Sequence, residues 1–149
     1  MFDEILTFFE SKTKGERMAR RSDFSPRDFV KYLPYIGLLE FKYNEEGEMI
    51  DAFCRLNGSQ TIMIYGDLTG TWLSEMKSQE AFYRVKQRHK IMSAKRQGLA
   101  ITSQILSKYK EHIVVKALYV PLSEDNELID RLMLVVDYDT PNNAQDPDF

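Results

Sequence analysis

Residues 54–73 read "CRLNGSQTIMIYGDLTGTWL". The stretch holds the only cysteine of the chain, an arginine and three glycines around a short apolar run. Its glycines act as punctuation: Gly58 closes a strand, Gly66 ends a short helix that Ser59 can cap, and Gly70 permits the turn "GDLTG" before Trp72. Leu68 and Trp72 need cover from elsewhere in the fold. A strand that passes through such turns into short helices is a connector, so the fold depends on what flanks it.

Upstream, "YIGLLEFKYNEEGEMIDAFCRLNG" has the pattern of a hairpin. Ile36, Leu38 or Leu39, Phe41 and Tyr43 belong to the first strand, "NEEG" to the turn, and Met49 to Leu56 to the second strand. Before it, "DFSPRDFVKYLPYIG" carries helix-start chemistry. Ser25 can cap, Pro26 suits the first helical position, and Asp28 falls where a capping-box acid belongs. Phe24 and Phe29 have hydrophobic-staple spacing, and Pro34 is expected to stop the helix. Earlier still, "DEILTFFESKTKG" predicts an amphipathic helix with Ile5, Leu6, Phe8 and Phe9 on its apolar stripe, ended by Gly15. That stripe must pack on the domain's own sheet or on a second subunit.

Downstream, positions 75–96 predict the longest helix, with Phe82, Val85, His89 and Met92 recurring at three and four residues before Gly98. Three extended segments follow, "LAITSQILSKY", "HIVVKALYVPL" and "LIDRLMLVVDYD". The second and third are apolar at nearly every position and are expected centrally in the sheet, with helices covering part of one face. The first alternates and suits a partly exposed position. The order is helix, helix, two strands, short helices, long helix, three strands. It lacks the strand-helix alternation of a doubly wound sheet, so an α+β antiparallel fold is expected, with a groove between helices and sheet. The expected division is an N-terminal helix and linker over residues 1–19, a domain over 20–139, and a fraying tail over 140–149.

Composition narrows the chemistry. A chain of 149 residues with 43% hydrophobic content can bury one core. A net charge of -3 supplies no global footprint for nucleic acid. One cysteine allows no internal disulfide and no CxxC zinc site. The start "MFDEILTFFES" carries acids where a secretory signal would carry cations, and no run reaches the roughly 18 apolar residues of a membrane span. A cytoplasmic location is therefore expected. Lys77, Arg84, Lys86, Arg88, Lys90, Lys95 and Arg96 crowd the long helix, either as a solvated face or as a surface for an anionic ligand or partner.

No catalytic set can be assembled. The glycine loops lack both the Gly-x-Ser-x-Gly elbow and a P-loop lysine. Two separated histidines make neither a hydrolase triad nor a metal site, and Asp51 with Asp67 has no mechanical reason for acid-base work. Arg55 stands apart, because a guanidinium among Phe53, Cys54 and Leu56 needs an acid or an anionic ligand if it is buried. It closes an ion pair with Asp67 or Asp51, or it sits at the mouth of a pocket and holds a carboxylate or phosphate.

Taken together, "RRSDFSPRDFVKYLPYIGLLEF", "FCRLNGSQTIMIYGDLTGTWLSEM" and, more weakly, "HIVVKALYVPLSED" resemble the PAS superfamily, in particular the compact single-domain PAS proteins of alphaproteobacteria. Arg21, Pro26, Leu33, Pro34, Arg55, Gly58, Gly66, Asp67, Leu68, Thr69 and Gly70 carry the match, which spans roughly residues 20–138. The resemblance implies a five-stranded antiparallel sheet with a helical connector between its second and third strands. It also implies a non-catalytic sensory or protein-interaction domain in signal transduction, able to hold a small metabolite between sheet and helices. With no output segment in the chain, signalling would pass to a separate partner protein, and a homodimer is expected.

PAS cofactors fit poorly. A photoactive flavin site needs its cysteine on a helix, whereas Cys54 falls in a strand. Haem needs an axial ligand, for which His89 is the only serious candidate, and the neighbouring Arg88, Lys90 and Lys95 deny it an apolar shell. No cofactor is expected. Arg55, Asp67, Trp72 and His89 are the candidate ligand-binding residues. The competing reading is a small-molecule carrier or enzyme on a similar sheet. Cavity size separates the two: several hundred Å³ with convergent polar groups favours ligand binding, and closure by Phe82, Val85 and Met92 favours pure interaction.

Overall fold

The computed structural model describes residues 1–106 and 112–139. The tail over 140–149 and the connection between the third and fourth strands lie outside the described residues. The elements in order are α1 (Phe2–Thr13), a 3-10 turn at Arg21–Asp23, a 3-10 segment at Pro26–Tyr35, β1 (Ile36–Tyr43), β2 (Met49–Asn57), α2 (Ser59–Tyr65), a 3-10 turn at Leu73–Glu75, α3 (Glu80–Lys95), β3 (Leu99–Leu106), β4 (His112–Leu122) and β5 (Arg131–Asp139). All strand pairs are antiparallel and the sheet order is β2-β1-β5-β4-β3. This is the expected α+β fold: a five-stranded antiparallel sheet, a helical connector and an N-terminal helix. The apolar β5 and β4 take interior positions, and the alternating β3 lies at an edge.

Part of each face of the sheet is covered, rather than part of one alone. On the inner face Leu39, Ala52, Cys54, Ala117, Tyr119, Leu132 and Val136 pack with Ile64, Leu73, Phe82, Val85 and Met92 from the connector. On the outer face Ile36, Leu38, Leu118, Val120, Met133 and Val135 meet Ile5 and Phe9 of α1 and Phe29 of the 3-10 segment. From Ala117 to Leu122 both alternate sets of β4 are buried, which is why the sequence there is unbroken and apolar, whereas His112, Val114 and Lys116 at its start face solvent. The N-terminal helix docks on its own sheet. Phe9, Phe24 and Phe29 form a ring cluster with centroids 5.6 to 5.8 Å apart, and the Phe24–Phe29 contact is the expected staple.

Local structure departs from expectation at several points. The Ser25 N–H donates to the Asp28 carboxylate at 2.7 Å, as a capping box requires. The segment that follows is nevertheless 3-10, kinked at Phe29 (φ -126, ψ 28), and it runs past Pro34 to Tyr35. Short 3-10 turns have few ladder bonds to lose, so the missing N–H of Pro34 does not end the segment. Gly58, not Ser59, is the N-cap of α2. The long helix begins at Glu80, not at residue 75. Asp51 of β2 accepts bonds from the backbone and hydroxyl of Ser74, which pins a separate turn ahead of the helix. The fifth strand begins at Arg131, because Asp125 draws the Glu127 and Leu128 N–H groups into a turn.

The outer edge of β2 is not bare. The Cys54 N–H donates to the Thr71 carbonyl at 2.9 Å, the Gly70 N–H donates to the Cys54 carbonyl at 2.8 Å, and Trp72 bridges Phe53. The "GDLTG" turn thus folds back onto the strand it follows.

Candidate functional site

The connector partly covers a cavity against the inner sheet face. Its volume is about 60 Å³, and its wall includes Leu39, Cys54, Tyr65, Leu73, Val85 and Tyr119. This is far below the several hundred Å³ of a drug-sized ligand site. Phe82, Val85 and Met92 are buried in the surrounding core.

The cavity surface is predominantly apolar. Asn57, Thr61 and Arg84 contribute to the wall with the two tyrosines. The Thr61 hydroxyl donates to the Gly58 carbonyl at 2.6 Å, and Asn57 Nδ2 donates to the Gly66 carbonyl at 3.0 Å, so both ends of α2 are tied down. Burial pushes the Tyr65 and Tyr119 hydroxyls above their ordinary range, and the positive charges of Arg84 and Arg88 partly oppose it. Burial, with the nearby Asp67 carboxylate, pushes the Cys54 thiol up to about 11. Cys54 is therefore an inert core thiol, 3% exposed.

The four residues singled out from sequence are not brought together. Arg55 is an exposed outer-face residue whose partner is Glu40, with Nε–Oε1 and Nη2–Oε2 both 3.0 Å. Neither Asp67 nor Asp51 holds it: Asp67 accepts the Thr69 N–H within its own turn at 3.1 Å, and Asp51 is committed to Ser74. A β-bulge between Leu38 and Leu39 pairs Leu38 with Leu56 and Leu39 with Cys54, which skips Arg55 in the ladder. Trp72 packs edge-on to Phe53 at 5.1 Å with the Lys42 ammonium over its ring, away from the cavity.

His89 lies at a different place again. It borders an open groove of about 460 Å³ beside Tyr43, Glu48, Lys86 and Ile129. The Tyr43 hydroxyl donates to the Ile129 carbonyl, so at 2.7 Å it accepts from His89 Nε2–H. Phe41 meets the imidazole edge-on at 4.9 Å. Burial holds its pKa below the ordinary histidine value. Among the described residues no group of three His, Cys, Asp or Glu side chains could hold a metal ion.

Arg84 and Arg88 were hidden in the sequence by the charge of the whole helix. Their i,i+4 spacing beside Val85 and Met92 was the available signal, because long cationic stems can lie along apolar surface. Lys86, Lys90 and Lys95 are exposed, whereas Arg84 and Arg88 are half-buried.

No protein-family model matches the chain, and no curated protein matches it. Among solved structures it is similar to the PAS domain of a protein from Colwellia psychrerythraea, at TM-score 0.46 and 12% identity over 76% of this chain and 96% of that one. It is also similar to a sensory box histidine kinase/response regulator from Burkholderia thailandensis E264, at TM-score 0.45 and 12% identity over 80% of this chain and 88% of that one.

Proposed function

We propose that this chain is a non-catalytic sensory or protein-interaction domain of the PAS type, of the compact single-domain kind. It acts in bacterial signal transduction through a separate partner protein and as a homodimer, with residues 20–139 as the sensory unit and the helix of residues 1–19 docked on it. The observation that carries the reading is the antiparallel order β2-β1-β5-β4-β3, with the connector α2 and α3 closing over the inner face around a small cavity. A space of about 60 Å³, with Phe82, Val85 and Met92 buried around it, falls on the protein-interaction side of the size criterion and leaves little room for the cargo of a carrier.

Native mass spectrometry of freshly purified protein tests the reading, because it reports retained ligand and oligomeric state together. A dimer, or a small retained molecule whose removal changes assembly or partner capture, supports it. A monomer that neither retains nor responds to any small molecule and captures no signalling protein sinks it.

A further inference from the structure

Residues 77–96 carry seven lysines and arginines against one acid, Glu80, in a chain whose total charge is -3. Arg88 is half-buried, Arg84 pairs with Glu80 at 2.6 Å, and Arg96 stands 4.0 Å from Glu127. Lys86, Lys90 and Lys95 are exposed and have no acidic partner among the described residues. Lys86 and Lys90 are an i,i+4 pair of like charge, which weakens the helix unless carboxylates stand over it. The same two lysines bank the open groove of about 460 Å³, which runs between α3 and the loop before β5 with Met49, Leu128 and Ile129 as its apolar part. Leu128 is 43% exposed, and Tyr83 on the outward face of α3 is 60% exposed. The opposite bank is acidic, but its charges are engaged: Glu48 accepts from Asn44 Nδ2 at 3.4 Å, and Glu127 is the partner of Arg96. The unanswered charge at the groove is therefore positive.

A cationic strip beside an apolar groove is the complement of an amphipathic segment with acids on one side. The 16 residues of α3 extend about 24 Å, enough to seat a partner helix of about four turns. Two other anionic occupants fit less well. A phosphate backbone longer than the strip would run onto Glu48 and Glu127 across the groove or onto Glu80 at the start of α3, and a chain of net charge -3 repels it elsewhere. An anionic membrane needs a continuous apolar helix face, whereas the large apolar side chains that α3 exposes are Tyr83 and Ile91 alone. We propose that α3 and the adjoining groove dock an acidic amphipathic segment of a partner protein, its carboxylates on Lys86 and Lys90 and an apolar side chain over Met49 and Leu128. The assignment rests on the reading of the chain as an interaction domain that acts through a separate partner.

The test immobilises the full chain at physiological ionic strength and pans it with a displayed library of random peptides of about 16 residues, the length of four to five helical turns. The strongest binder is synthesised and followed by fluorescence anisotropy. Selected peptides are expected to carry Asp or Glu at helical spacing beside Leu, Phe or Trp, and their affinity is expected to fall as salt rises. Lys86→Gln/Lys90→Gln removes the like-charge pair. It is expected to fold with a Tm close to wild type and to weaken binding on the order of tenfold. Leu128→Ser is a second variant, expected to weaken binding several-fold. Lys31→Gln, in the 3-10 segment that packs on the outer face, should leave binding unchanged. Selected peptides without acids, no selected peptide at all, binding undiminished in both groove variants, or equal weakening by Lys31→Gln overturns the assignment. Tighter binding of a single-stranded oligonucleotide or of phosphatidylglycerol vesicles than of the selected peptide overturns it too. Failure of the broader reading looks different. Acidic peptides that bind the groove of a chain that captures no signalling protein keep the surface and remove the signalling role, whereas a signalling protein held equally well by Lys86→Gln/Lys90→Gln removes the surface and leaves the role standing.

Discussion

Arg55 and Glu40 meet at two points across the β1–β2 pair, with Nε–Oε1 and Nη2–Oε2 both 3.0 Å, and Arg131 Nε stands 3.9 Å from the same carboxylate. The hydrogen bonds from Arg55 and then the two positive charges hold the Glu40 carboxyl below its ordinary value of 4.5, against some desolvation. A carboxyl lowered in the folded state contributes stability above its unfolded pKa, and that contribution is lost as pH falls through the folded value. Arg55→Met should therefore fold. Its Tm should lie slightly below wild type at pH 6, and the two curves should converge as pH drops well below 4.5. Thermal unfolding from pH 6 to pH 2.5 measures this, and a gap that persists at the acid end contradicts it.

His89 also costs stability on acidification, but because its neutral form is the favoured one. Burial lowers its folded pKa, so the unfolded chain takes up the proton first, near pH 6.5. Its neutral-form stability is complete above that value and declines as pH falls below it. His89→Gln keeps an N–H for the Tyr43 hydroxyl and removes the titration. The stability difference between pH 7.5 and pH 5.5, followed by urea unfolding, should be smaller in the variant. An unchanged slope would show that another group carries it.

Cys54 should resist thiol reagents. With a pKa of about 11 and 3% exposure, its thiolate population at pH 8 is roughly two orders of magnitude below that of a free cysteine. Labelling of native protein by a disulfide reagent should be on the order of 100-fold slower than in denaturant. Rapid native labelling would mean that the strand and connector part often.

Gly58 is a close-approach glycine. A Cβ there would meet the carbonyl oxygens of Leu33 and Pro34 well inside van der Waals contact and the Pro34 carbonyl carbon at 2.6 Å. Both neighbours are backbone and cannot turn aside, so Gly58→Ala should cost about 2–3 kcal/mol or more in urea unfolding. A loss below about 0.5 kcal/mol would mean that the 3-10 segment can shift away.

Much of the architecture was legible because it is encoded locally. The hairpin from Ile36 to Asn57 carries its alternation and its turn within one stretch, and β4 has the expected bounds of His112 and Leu122. The site was less legible. The partner of Arg55 depends on a bulge in β1–β2 pairing, and a one-residue slip of register leaves no mark in either strand's composition. Asp51 and Asp67 looked available because nothing local assigned them, yet Ser74 and the Thr69 N–H occupy them. Arg84 and Arg88 belong to a run of cations in which only packing decides which stems turn inward. Pro34 misled for a related reason: a proline rule written for α-helices applies weakly to a 3-10 segment.

The covering of the β2 edge by residues 70–72 makes the two ends of the sheet unequal. One end already has its Cys54 N–H and carbonyl satisfied, while β3 pairs only with β4 among the described residues. Strand addition at the β2 end would first have to displace residues 70–72 from Cys54 and Phe53. Two copies joined through β3 about a two-fold axis would form a closed pair with covered ends, and head-to-tail growth into a fibre would meet that same cover.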